Sequence, residues 1–161
     1  MPELVPGPLW GRSAYRMLGS KVVWKKQIRG DALSEASNRC SICGSEGQRL
    51  VCHDKWKYDD KQATATLIGF QINCGDCDAV THIGMSVQIS QREEVMLSAV
   101  AHLCTVNQCT PEVAVNILTD ALAQWEKRNK KKWRVRVAPA LVKKYPELAA
   151  LPKFVPPPAN Y

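Results

Sequence analysis

The chain has 161 residues, seven cysteines and a formal net charge of +7, with a pI near 9.1. That length suits one domain with a modest core. A transmembrane helix is excluded by the lack of any apolar run of about eighteen residues, and the N-terminus MPELVPGPLWGR lacks the basic and apolar regions of a secretion signal. The sequence therefore predicts a soluble, cytoplasmic protein without a membrane partner, and the positive balance favours polyanions.

Residues 1–11 carry three prolines and two glycines and are expected to be irregular. Ser20 is a candidate N-cap for a helix over SKVVWKKQI, with Val22, Val23, Trp24 and Ile28 as its apolar positions. Gly30-Asp31 is expected to break that helix, with another helical turn over residues 32–37. CSICGSEG reads as a knuckle, a tight turn between two sulfur ligands that ends in glycine. RLVCH reads as a short strand, DKWKYDDKQA as a polar loop with packing aromatics Trp56 and Tyr58, and TATLIGFQIN as a second strand. CGDCDAVTHIGM then turns into a helix.

Two longer helices follow. The first, over residues 91–106, shows Val95, Met96, Ala99, Val100 and Leu103 at helical spacing, with His102 among them as a structural residue. The second opens at Thr110-Pro111-Glu112, where threonine caps, proline suits the first turn and glutamate complements the helix dipole. Val113, Ile117, Leu118, Ala121, Leu122 and Trp125 are its expected buried stripe. WRVRV alternates like a strand, and KKYPELAALPKFVPPPANY beyond it reads as a loosely ordered extension that either docks on something or stays mobile. The expected organisation is an N-terminal segment (1–38), a cysteine-bearing core (39–88), a helical pair plus strand (89–137) and a C-terminal tail (138–161).

Cys40-x2-Cys43 and Cys74-x2-Cys77 are the strongest local signal. Each pair supplies two sulfurs from one turn, and the intervening hairpin brings the turns together, so a structural four-cysteine Zn2+ site is expected. Such a site is closed to substrate and serves the fold. Cys104 and Cys109 read as small apolar residues. From Lys127 the chain runs through Arg128, Lys130, Lys131, Lys132, Arg134, Arg136, Lys143 and Lys144 without an acidic residue. This is either a solvated helix end, where cations suit the dipole, or a patch that contacts nucleic-acid phosphates.

The ordered set CSICG, CHDKWKYDD, LIGF and CGDCDAVTHIG resembles the HNH endonuclease superfamily, in particular small bacterial and phage HNH-type proteins. PLWGRSAYRMLGSKVVWKKQIR ahead and the helical pair with its WR strand behind extend the resemblance over roughly residues 8–137. It implies an α+β fold with a zinc-stapled ββα-metal core, flanking helices and a proline-rich tail. It further implies that His53 is the general base, activating water for attack on a DNA phosphodiester. Asp78 and His82, four apart on one helical face, would hold a catalytic Mg2+ or Mn2+. Three positions depart from the family pattern. Cys52 stands at a metal-ligand position, Gly69 where the middle asparagine is expected, and Asp78 where a histidine is expected. The alternative is therefore a catalytically inactive zinc module that binds nucleic acid or a protein partner, as an inhibitor or accessory subunit of a larger assembly.

Overall fold

The computed structural model describes residue 2 and residues 4–47, 49–85 and 92–151. The chain divides into two compact units, each assembled from three separate stretches. One comprises Met1–Gly7, Arg39–Val51 and Asn73–Lys130; the other comprises Pro8–Asn38, Cys52–Ile72 and Lys131–Tyr161. No helix among the described residues is long and apolar enough to cross a membrane.

The second unit begins with α1 (Ala14–Met17), whose N-cap Ser13 accepts from the Arg16 N–H. Ser20 caps α2 (Lys21–Val23) as expected, accepting from the Val23 N–H. The expected break at Gly30-Asp31 is absent. The helix passes through one π turn, Trp24–Ile28, in which the Arg29 N–H donates to the Trp24 carbonyl, and continues as α3 (Arg29–Glu35). Trp24, Ile28 and Ala32 lie on one face and are buried. Burying that face outweighs the cost of a mid-helix glycine, about 1 kcal/mol. The helix ends at Glu35 with Ala36 as its C-cap, because Ser37 and Asn38 both take left-handed backbone, with φ 51° and 54°.

β1 (Val51–Asp59) is longer than the expected RLVCH strand and takes in most of the expected loop. Asp54 and Trp56 are buried while Lys55, Lys57 and Asp59 face solvent, the period-two pattern of a half-buried strand. Asp59 Oδ1 accepts from the backbone N–H groups of Lys61 and Gln62 at 3.0 and 2.9 Å, closing a tight turn into β2 (Thr64–Asn73). A connection this short returns the strand antiparallel. β3 (Arg134–Val137) completes the sheet in the order β1-β2-β3, parallel to β2, with Thr64 opposite Arg134 and Leu67 opposite Val137. Trp133, fully buried, meets the Tyr58 ring edge-on at 5.3 Å.

The segment after β3 follows the docked one of the two expected outcomes as far as the described residues reach. It forms a six-residue helix, Pro139–Lys144, and a 3-10 turn, Pro146–Ala150. Leu141, Tyr145, Leu148 and Leu151 are buried. Tyr145 donates its hydroxyl to Asp31 at 2.8 Å and stacks edge-on against Phe70, while Lys144 pairs with Glu35 at 2.7 Å. Apolar spacing between the prolines is what anchors this stretch. Residues 152–161 lie outside the described residues.

The first unit holds the knuckle of residues 39–51, α4 (Gly75–Thr81), α5 (Arg92–Asn107) and α6 (Pro111–Asn129). Thr110 caps α6 through the Val113 N–H, as expected. The buried stripe falls on Ala114, Leu118, Ala121 and Trp125, and Val113 is exposed rather than buried. The phase of the helix is set by Leu118 and Trp125, which brings Ala114 rather than its neighbour to the inner face. Gly84 is required by packing, since a Cβ there would lie 3.0 Å from the Trp125 ring. Trp125 Nε1 donates to the Val5 carbonyl at 3.0 Å, and the Gly7 N–H donates to Asn129 Oδ1 at 2.7 Å. These bonds fasten the N-terminal stretch to α6.

The ordered C-terminal stretch gives a direct expectation. Leu148→Ala, at a position with no solvent exposure, is expected to lower unfolding free energy by about 3 kcal/mol in urea denaturation. A change below about 0.5 kcal/mol is the range of a surface substitution and would contradict this packing.

Candidate metal centre

The sulfurs of Cys40, Cys43, Cys74 and Cys77 all lie within 4.8 Å of one another. Cys40, Cys74 and Cys77 are buried, and the half-buried Cys43 and Leu50 pack against them. Cys43 and Cys74 stand 3.6 Å apart. Zn–S bonds of about 2.3 Å place the sulfurs of a tetrahedron about 3.8 Å apart, so spacing and donor type both fit a structural zinc. The first pair is shaped by local backbone. The Gly44 N–H donates to the Cys40 carbonyl at 2.9 Å, the Cys40 N–H donates to the Ser45 carbonyl, and Gly44 adopts φ 75°. The second pair straddles the start of α4, with Cys74 as N-cap.

The electrostatics of the four thiols call for a cation. Burial pushes the Cys43 thiol up, yet Ser45 and the neighbouring sulfurs bring it down to about 6. Burial and those same sulfurs drive Cys77 well above the ordinary thiol range. One thiol ionises readily and thereby holds the proton on another, so all four become thiolates only around a positive ion. Two further groups serve the sulfurs. The Ser45 hydroxyl lies 3.2 Å from Cys43, and His102 Nε2 lies 3.1 Å from Cys77. Towards a thiolate both become donors, the kind of outer contact that orients metal ligands. His102 was expected to be structural. Its sulfur partner stands 25 positions away in sequence and emerges only when α5 packs on α4.

Asp78 and His82 follow on α4. The His82 N–H donates to the Asp78 carbonyl, and the Asp78 carboxylate lies 3.9 Å from His82 Nε2. Asp78 Oδ1 is buried and has no hydrogen-bond partner among the described residues. The amide of Asn73, fully buried just before Cys74, likewise has both its Oδ1 and Nδ2 unpartnered among the described residues. Buried polar atoms without partners cost about 1–3 kcal/mol each.

In the second unit, His53 sits on β1 with Nδ1 2.7 Å from the Asp54 carbonyl. A carbonyl only accepts, so Nδ1 carries the hydrogen and Nε2 carries the lone pair. Cys52 precedes it as a half-buried thiol, pushed up to about 12 by burial and by the Asp54 carboxylate, with Arg29 opposing. Asp54 was not singled out in the sequence. Its side chain is buried, its Oδ2 accepts from the Ala14 N–H at 2.9 Å, and its Oδ1 has no partner among the described residues. Burial raises its pKa to about 6, against the pull of the Ala14 hydrogen bond. The strand alternation Asp54, Trp56, Tyr58 was the available signal.

Among the cations of the basic run, Lys127, Lys130, Lys132, Arg134 and Arg136 are exposed. Arg128 is only 9% exposed, lying on the buried stripe of α6 beyond Trp125. Lys131 donates to the Asp60 carbonyl and pairs with its carboxylate at 3.6 Å.

Two outcomes follow. Purified protein is expected to retain a single zinc per chain, and Cys74→Ser to lose it together with the cooperative unfolding of the first unit. Metal analysis after gel filtration and a thermal melt check this; a folded, metal-free wild type contradicts it. For Asp54, the folded pKa of about 6 stands above the ordinary 3.8. The folded state therefore keeps a proton that the unfolded state releases, and stability falls as pH rises from 3.8 through about 6. Asp54→Asn keeps an oxygen for the Ala14 N–H and is expected to flatten that fall, by about 2–3 kcal/mol between the two ends. Urea melts of both proteins at pH 4 and pH 7 measure it, and parallel pH profiles refute it.

No family model, curated protein or solved structure matches this chain.

Proposed function

We propose that this protein is an HNH-like, metal-dependent nuclease that hydrolyses DNA phosphodiesters, with His53 as general base. The observation that carries the reading is the 2.7 Å contact between His53 Nδ1 and the Asp54 carbonyl. It supports the tautomer with the hydrogen on Nδ1 and the lone pair on Nε2, the arrangement a general base uses. Asp78 and His82 are the proposed ligands of a catalytic Mg2+ or Mn2+, and the unpartnered, buried Asp78 Oδ1 supports a cation there. An ion so held would supply positive charge to a phosphate oxygen during attack. Hard carboxylate oxygen suits Mg2+ or Mn2+ better than the neutral Cys52 thiol does. The exposed cations Lys127, Lys130, Lys132, Arg134 and Arg136 are the proposed phosphate contacts, which makes binding salt-dependent. The four-cysteine zinc takes no part in the chemistry.

A second reading has its own observation. A Cβ added at Gly69 meets nothing within 4 Å, so packing does not demand glycine where the resemblance expects an asparagine. A protein relieved of catalysis would tolerate that loss. The chain would then be an HNH-like zinc module that binds nucleic acid or a protein partner within a larger assembly.

Supercoiled plasmid incubated with the protein and Mg2+, Mn2+ or Ni2+ separates the two. The nuclease reading expects nicking in at least one metal and a loss of about 10²–10⁴-fold in rate for His53→Ala. Equal behaviour of wild type and variant in every metal rejects it. If neither cuts, a salt titration of DNA binding tests the second reading, where a flat dependence points to a protein partner.

A further inference from the structure

The end of α5 is built as a Schellman cap. Gln108, which is not glycine, takes left-handed backbone with φ 51°, and the Cys109 N–H donates back to the Cys104 carbonyl at 3.3 Å. In this motif the two residues joined by that bond also bring their side chains together, ordinarily as an apolar contact. Here both side chains are thiols. The Cys109 sulfur points back along the helix, 3.8 Å from the Leu103 carbonyl. Cys104 feels the Cys109 sulfur directly: partial burial first, then charge and hydrogen-bond contact with Cys109, hold its thiol above the ordinary range. Both cysteines are half-exposed, and neither belongs to the four-sulfur cluster. A disulfide needs α-carbons about 4.4–6.8 Å apart, and the 3.3 Å bond from the Cys109 N–H to the Cys104 carbonyl draws the two backbones towards one another.

We propose that Cys104 and Cys109 form a dithiol–disulfide couple, oxidised by low-molecular-weight disulfides such as glutathione disulfide, that closes a covalent clasp over the cap of α5. Cys109, which lies beyond the last residue of α5, attacks first. Its thiolate bonds to one sulfur of glutathione disulfide, the S–S bond breaks, and one glutathione leaves and takes up a proton. Cys104 then gives its proton to water and attacks the Cys109 sulfur, expelling the second glutathione. The protein loses two hydrogens and two electrons, and the oxidant gains them as two molecules of glutathione. The enforced neighbourhood of the second thiol makes closure faster than escape of the mixed disulfide.

The zinc-loaded full chain tests this. It is exposed to glutathione disulfide, quenched with iodoacetamide and digested with trypsin, which leaves both cysteines on one peptide, residues 93–127. The expected peptide has lost two hydrogens, carries no alkyl group, and regains two alkylation sites after dithiothreitol. Cys104→Ser is expected to accumulate glutathione on Cys109 instead, because nothing displaces it. Retained zinc in each sample shows that the fold is intact. Wild type that keeps two alkylatable thiols, or that accumulates glutathione on either cysteine, overturns the proposal.

Discussion

Four sulfurs gathered into one small, mostly buried cluster repel one another as thiolates, and a dication would relieve that repulsion. The first unit is arranged around that cluster. Among the described residues, 39–50 contain no regular element, and backbone turns close around Cys40. α4 spans seven residues and has no side-chain cap, too short to stand alone in water. Tying the two CxxC turns together gives the knuckle a shape and gives α4 a fixed start. From that start follow the positions of Asp78 and His82 on one face, and the seating of α5 that brings His102 to Cys77.

The parts legible in sequence were those set by neighbours in sequence. The paired CxxC spacing, the Ser20 and Thr110 caps, and the β-branched run of β2 each carry their own reason and appear where that reason puts them. The misreadings share a cause: a partner far along the chain outweighed the local signal. Lys55, Lys57 and Asp59 look like loop residues until Asp54 and Trp56 between them are seen to be buried. Gly30 is a helix breaker until Trp24, Ile28 and Ala32 find a common face to bury. Tyr145 and Leu148 look stranded among prolines, yet Tyr145 reaches Asp31, 114 positions earlier. Asp54 and His102 were hidden for the same reason, since Ala14 and Cys77 lie 40 and 25 positions away. The contact of Cys104 with Cys109 is local, but it rests on Gln108 adopting a backbone conformation that its side chain does not advertise.

Adjacent residues on β1 divide the work between backbone and side chain. The Asp54 carbonyl sets the tautomer of His53, while its carboxylate turns inward to the Ala14 N–H. The strand position that orients the histidine is thus the same one that fastens the N-terminal helices of the second unit. A change at Asp54 therefore alters the orientation of the histidine and the anchoring of those helices through different atoms.

The parallel pairing of β2 with β3 has a consequence for how the molecule is made. β2 ends at Asn73, and its partner does not begin until Arg134, after the second CxxC pair and all of α5 and α6. During synthesis the β1–β2 hairpin therefore leaves the ribosome with one edge bare, and that edge waits for the whole intervening stretch. Closing so long a loop is slow compared with forming a helix, and an unpaired strand edge invites pairing with another chain. Early metal capture by the cysteines, which needs nothing beyond Cys77, would shorten the wait by folding the intervening segment before β3 arrives.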